Sequence, residues 1–404
     1  MNNKWMENFL LLGLRIDSKF KEEDNQFVDA YIGPENLKQI VKNEKPIDNQ
    51  KLLQTTQNLI TELKEMNIKD KRKKYLNKQL RAMDTVLRAL DHEKLELKNE
   101  VENIFDIKPE WIEEKHFEEG LNLYKEGLPG NGKLDERFNE WYQRNYFEFN
   151  SSDAKKDFII FIINELKKKT KNIIKLPEQE DLIIEMVTNK RFGASTRYLG
   201  NYRSRIEINN DIPFNFFLLL PLISHELYPG HHTEFCLKEE NLVQGKNYTE
   251  NNIFILYSPW LVIAEGLAEI AFEIIFDSNE AAEWLRDNIY NKYNIKTNDV
   301  NLNYLLRASR LNSLDQISSN AAIMIDEGRP IEEVKNYMKK YTLQTDYMID
   351  HTINNLKSSH FKRIYSFAYS HGRKIIRDYL DQGDKKKRMI KLLKGQCYPS
   401  GLTK

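Results

Sequence analysis

The chain has little of what usually makes a protein's class obvious. Its 404 residues include two cysteines, Cys236 and Cys397. Two cysteines make neither a disulfide framework nor a four-cysteine zinc knot, and they suit a reducing cytoplasm. Charge of one sign is missing too, since 61 Lys and Arg balance 61 Asp and Glu. Polyanion binding normally rests on a basic excess, so nucleic acid is not expected as the main partner; only a local stretch, Lys385 to Lys394, is basic. The longest apolar stretch, Phe214 to Ile223, is interrupted by Asn215 and Pro221. It falls short of the roughly 20 residues needed to cross a bilayer. The opening "MNNKWMENFLLLGLRIDSKF" has an apolar run of only about six residues and no small-residue cleavage site, so it does not read as a signal peptide. A cytoplasmic protein without membrane contact is the expectation.

Glycine (16) and proline (11) are sparse, which leaves room for long helices. Leu52, Leu53, Leu59, Ile60 and Leu63 recur at helical intervals, and Leu76, Leu80, Met83, Leu87 and Leu90 do so more cleanly. Both segments read as amphipathic helices of an N-terminal lobe. "EGLPGNGKLDER", from Glu126, is the strongest loop signal. It suggests a division into 1–130, a helical lobe, and 131–404. In "SSDAKKDFIIFIINELKKKTKNII", Ser152 or Asp153 can cap a helix whose far end gathers lysines. "TRYLGNYRSRIEINND", from Thr196, differs in kind. Arg205, Glu207 and Asn209 alternate with Ile206 and Ile208, a strand period, and Gly200 suggests a turn or bulge. A small antiparallel sheet is expected there. Ser258 and Pro259 suit the N-cap and first position of a helix running to Phe276, and from Trp284 to Leu393 the pattern is helix after helix.

The chemistry concentrates in "SHELYPGHHTEF", Ser224 to Phe235. H-E-x-x-H on a helix binds zinc because residues at i and i+4 share a face. Here Pro229 stands four after His225 and cannot ligate. On an unbroken helix His231, six residues on, would point about 240 degrees away, and His232, seven on, would sit about 10 Å along the axis. An unbroken helix is not expected, however. Pro229 removes a donor, disfavours helical angles at Tyr228, and is followed by the permissive Gly230. The Tyr-Pro-Gly stretch can loop out the extra residues and return His231 to the face of His225, with His232 as its rival.

A zinc site needs a third protein ligand. Glu265, inside "LVIAEGLAEIAF", sits on a helix that reads as buried, where a carboxylate without a partner is costly. Gly266 beside it permits close approach of another helix. Glu269 and Glu273 continue the same face and can orient ligands. Glu226, next to His225, would act as general base, accepting a proton from the attacking water and delivering it to the leaving amine. The bland alternative is a histidine-rich helix end with Glu265 paired to an arginine.

"HELYPGHH" followed by "AEGLAE" resembles the signatures H-E-x-x-P-G-H-H and E-G-W-A of a bacterial family of zincin-like proteins, the domain-of-unknown-function family eight-eight-five. "FVDAYIGPENL", "LPGNGKLDERF", "LPEQE" and "YLGNYRSRIEIN" resemble further landmarks, so the likeness runs along most of the chain. It implies a mainly α, gluzincin-type metallohydrolase fold, with two helical lobes around a cleft and a small sheet beside the metal helix. It further implies a peptidase whose zinc is held by His225, His231 and Glu265, with Glu226 as base. The family often has a late S-Y-x-x-G; here Ala368 replaces the serine while Tyr369 and Gly372 match, making Tyr369 a candidate donor to the oxyanion. Leu267 stands in place of the family's tryptophan, and "RLNSLDQISSNAA" lacks a histidine found in many relatives. Arg307 and Arg310 are candidates for holding a substrate carboxylate, though structural pairing suits them better. The strand Tyr202 to Asn209 is a candidate edge along which a peptide aligns. A peptide or small amide is thus the expected substrate. The alternatives are a non-catalytic ligand-binding protein on the same scaffold and a hydrolase of non-peptide amides or esters.

Overall fold

The computed structural model describes residues 3–22, 26–190, 193–297 and 299–403. Helices dominate, as the sparse glycine and proline suggest. The two N-terminal patterns form Asn49–Glu65 and Asp70–Leu90, burying Leu52, Leu59 and Leu63 on one and Leu76, Leu80, Met83 and Leu87 on the other. Caps differ in detail from expectation. Ser151, one residue earlier than expected, accepts from the Ala154 N–H and starts Ser152–Ile173. Ser258 occupies the N-cap of Pro259–Ile275, but its hydroxyl donates to the Ile255 carbonyl and leaves the helix N–H groups uncapped by a side chain. The Leu128-to-Lys133 stretch is a loop between Glu114–Gly127 and Leu134–Arg144. After Trp284 the chain is helical almost throughout.

Seven short strands are present among the described residues: β1 (Val28–Tyr31), β2 (Tyr146–Phe147), β3 (Asp181–Val187), β4 (Ala194–Gly200), β5 (Arg203–Asn209), β6 (Phe214–Asn215) and β7 (Ile253–Ile255). β1 pairs with β7 and β2 with β6, both antiparallel. The third sheet has the order β3-β5-β4. β4 and β5 form a hairpin through Asn201 and Tyr202, both at positive φ. β3 runs parallel to β5, so the antiparallel expectation is corrected to a mixed sheet. The reason is topological: β3 and β5 each run opposite to β4, and β3 takes the free edge of β5 rather than that of β4.

The Pro259–Ile275 helix is the axis of the molecule. Only Glu269, Glu273 and Ile274 escape full burial along it. A helix apolar nearly all round must be covered on every side. Leu261, Val262 and Ala264 enter one core with Trp5, Leu76, Phe105 and Phe361, whereas Ile263, Leu267 and Ile270 enter another with Leu128, Phe158, Leu220 and Leu392. A third, smaller core gathers Phe117, Ile317, Val334 and Tyr341. Gly266 meets Gly372 of the His360–Asp381 helix: a Cβ on Gly266 would lie 2.5 Å from the Gly372 carbonyl, and one on Gly372 would lie 2.5 Å from the Val262 carbonyl. Two glycines therefore set the closest approach of these helices, at the level of Glu265.

Candidate metal centre

The helix Phe216–Glu226 starts where the Asn215 side chain accepts from the Phe217 N–H, at 3.1 Å, and stops after Glu226, where Leu227 leaves helical angles. The Tyr228–Pro229 peptide bond is cis. The chain then doubles back, and the Gly230 N–H donates to the Ser224 carbonyl at 3.0 Å. A Cβ on Gly230 would lie 1.8 Å from the His225 carbonyl oxygen, so no other residue fits there. A new helix, His231–Lys238, begins at once; the Leu227 carbonyl accepts from both the N–H and the hydroxyl of Thr233, at 3.2 and 3.0 Å. The expected break is therefore present, and each of its polar backbone groups named here is paired.

Its result is that His231 returns beside His225, with ring centroids 4.8 Å apart and planes at 88°. Glu265, 4 % exposed, reaches both: its Oε2 lies 3.3 Å from His225 Nε2 and 3.5 Å from His231 Nε2. The ligating atoms of the three residues all lie within 4.8 Å of one another. Four atoms about 2.0–2.1 Å from a tetrahedral zinc are separated by roughly 3.3–3.4 Å, so the two histidine–glutamate spacings suit that ion. Glu265 Oε2 is buried and makes no hydrogen bond, nor does His231 Nδ1. A buried carboxylate oxygen without a hydrogen bond, facing two imidazole nitrogens, is a donor set suited to a cation.

The charges agree. Burial works against ionisation of Glu265, but His231 and His225 outweigh it and hold its carboxyl down at about 2. Burial likewise opposes charge on His225 and His231, yet Glu265 lifts both above the ordinary range, aided at His225 by Glu269. His225 Nδ1 lies 3.5 Å from Glu269 Oε1, so Glu269 is placed to orient the ring, as the sequence suggested. Glu273 is not: Arg373 reaches it at 3.1 Å, Arg310 at 3.7 Å, and Arg377 as well. Arg310 is thereby a structural partner, and Arg307 is exposed.

Glu226 ends its helix half-buried at the same place, and its charge acts on His225, His231 and Tyr369. Tyr369 stacks on His225, ring centroids 6.3 Å apart at 15°, with Tyr365 5.7 Å behind it. Burial first, then Glu265, lifts both phenols well above their ordinary range, so both are O–H donors at neutral pH.

Two carboxyls were not singled out by sequence reasoning. Asp29 follows Val28 on β1, whose entry is fixed by Asp17 accepting from the N–H groups of Phe27 and Val28 at 3.1 and 2.9 Å. Burial pushes Asp29 up to about 6, His231 and Arg197 opposing and Glu265 and Glu226 adding to the rise. Asp315, on Leu314–Asp326, is pushed up to about 7 by burial, with Glu269 adding and His225 opposing. The available signal was an acid among mostly apolar or small neighbours: Asp29 in "FVDAYIG" and Asp315 in "NSLDQISSNAA".

His232, the rival ligand, turns the other way. Its Nδ1 lies 2.8 Å from Ser204 Oγ and its Nε2 3.3 Å from Glu180 Oε2, and it is 1 % exposed. The strand expected to offer an edge is also relocated. β5 is the central strand, hydrogen-bonded to β3 and β4 on its two sides, so no peptide can add to it.

No family model matches the chain, and no curated protein matches it. Among solved structures it resembles a proposed lipoprotein of Colwellia psychrerythraea, with 14 % identity and a TM-score of 0.52 over 88 % of this chain and 68 % of that one. It also resembles a proposed lipoprotein of unknown function from Shewanella oneidensis, with 12 % identity and a TM-score of 0.52 over 88 % of this chain and 70 % of that one. At such identities the likeness is one of fold. No described helix is long and apolar enough to cross a membrane.

Proposed function

We propose that the protein is a zinc-dependent hydrolase of peptide or amide bonds, of gluzincin type and working in the cytoplasm. The observation that carries the reading is the convergence of His225, His231 and Glu265 across the helix break. A zinc ion held by these three would supply Lewis acidity and a nucleophile active near neutral pH. Glu226 takes the proton of the attacking water and passes it to the leaving nitrogen. Tyr369 donates its hydroxyl hydrogen to the carbonyl oxygen as charge develops there. Glu269 keeps the His225 ring in place through Nδ1. Leu222, exposed one turn before Glu226, and Leu218, exposed a turn earlier, offer an apolar surface beside the base. That surface suits an apolar side chain of a peptide substrate. Cys236 and Cys397 are buried and unpaired, which fits a reducing compartment.

The reading predicts about one zinc per chain by elemental analysis. It predicts that Glu226→Gln retains the zinc and loses peptide turnover by roughly 100-fold or more. Undiminished turnover in that variant would remove the assigned base, and a metal-loaded protein silent on every amide and ester would favour a binding role instead.

A further inference from the structure

Two sequence stretches remain unexplained by the metal centre: "LPEQE", which ends at Glu180, and "YLGNYRSRIEIN", which contains Ser204. Both arrive on the far side of the helix break, where His232 points. There a buried polar cluster forms around one carboxylate. Tyr228 Oη donates to Glu180 Oε2 at 2.6 Å, and His232 Nε2 lies 3.3 Å from the same oxygen. Lys167 Nζ sits 2.6 Å from Glu180 Oε1, and Ser204 Oγ sits 2.8 Å from His232 Nδ1. The rings of Tyr228 and His232 meet edge to face at 5.1 Å. Tyr228 is fully buried and His232 nearly so, while Glu180 is 9 % exposed.

The placement of these partners in the chain matters most. Tyr228 is the last residue before Pro229-Gly230-His231, and His232 is the first after it. One carboxylate thus grips both ends of the segment that returns His231 to His225. We infer that Glu180 is a positioning residue for the metal site, fixing the direction of His231 through Tyr228 and His232. It touches neither His225, His231 nor Glu265 and takes no part in the chemistry. A Gly-containing break has many conformations open to it, and an ion site needs one of them. Lys167, on the helix Ser152–Ile173, sets the carboxylate in turn, so the clamp ties the break to a rigid element. Residues that orient ligands from behind typically affect metal affinity by 10–100-fold.

The inference rests on the zinc reading, and the test separates the two. Zinc affinity is measured by chelator competition on the full chain, and the visible spectrum of the cobalt-substituted protein is recorded. Glu180→Gln is expected to weaken zinc binding about 10–100-fold and to alter the cobalt spectrum. Tyr228→Phe and Ser204→Ala, which each remove a single hydrogen bond and keep the packing, are expected to move both readouts in the same direction by less, and they serve if Glu180→Gln does not fold. Met338→Ala, in the remote third core, is the control for general destabilisation and is expected to leave the cobalt spectrum unchanged. Wild-type protein that binds neither metal overturns the zinc reading and this inference with it. Wild type that binds zinc while Glu180→Gln, or both Tyr228→Phe and Ser204→Ala, bind it equally with an unchanged spectrum overturns the inference alone.

Discussion

His231 and His232 are neighbours in sequence and opposites in surroundings. One faces Glu265 and His225; the other faces Glu180 and Ser204. Substitution should separate them. His231→Ala is expected to abolish stoichiometric zinc binding, whereas His232→Asn is expected to weaken it while keeping about one site per chain, measured by titration. Glu100 carries a different residue-scale prediction, away from the metal. It is 4 % exposed, and its Oε1 makes no hydrogen bond although His360 Nε2 lies 3.4 Å away. Burial, with Asp326 adding, raises it from 4.5 to about 7. A carboxyl raised on folding binds its proton more tightly in the native state. Its contribution to stability is therefore full below about pH 4.5 and lost as pH rises through about 7. Glu100→Gln should flatten that fall, so its melting temperature relative to wild type should be higher at pH 8 than at pH 5. Identical pH dependence in the two proteins would contradict the assignment.

At the scale of elements, two devices build the site: a broken helix and a close helix crossing. The crossing makes a stability prediction. Alanine at Gly372 would put a methyl group 2.5 Å from the Val262 carbonyl. Backbone cannot yield as a side-chain tip can, so Gly372→Ala should cost about 1–3 kcal/mol in denaturant unfolding. It should also weaken zinc binding, because Glu265 lies one residue from the contact. These devices were largely legible in the sequence. Pro229 and Gly230 announced the break, and Gly266 beside Glu265 announced the crossing. The helices were legible as well, since their apolar spacing is local. What was not legible depends on partners distant in the chain. Nothing near Asp181 says that β3 will pair with Arg203 and its neighbours rather than with β4. Glu180 lies 52 residues from His232, and only the folded chain joins them. The Ser258 side chain had two local partners available, and the Ile255 carbonyl won.

For the whole molecule, the position of the centre is the main point. Glu265 sits on a nearly fully buried helix that contributes side chains to both large cores, and the histidines sit on the elements packed against it. An ion there would join elements otherwise held by apolar contact and buried ion pairs. Binding to the native state alone stabilises by about 2.7 kcal/mol at one hundred times the dissociation constant. Stripping zinc with a chelator should therefore lower the melting temperature, and re-addition should restore it; Glu265→Gln should show neither change.

The most direct measurement is an anomalous-difference map collected above and below the zinc edge on crystals of the zinc-saturated protein. The account predicts one peak, bonded at about 2.0–2.2 Å to His225 Nε2, His231 Nε2 and the Glu265 carboxylate. A peak ligated by His232, or no peak between these three residues in zinc-saturated crystals, would contradict it.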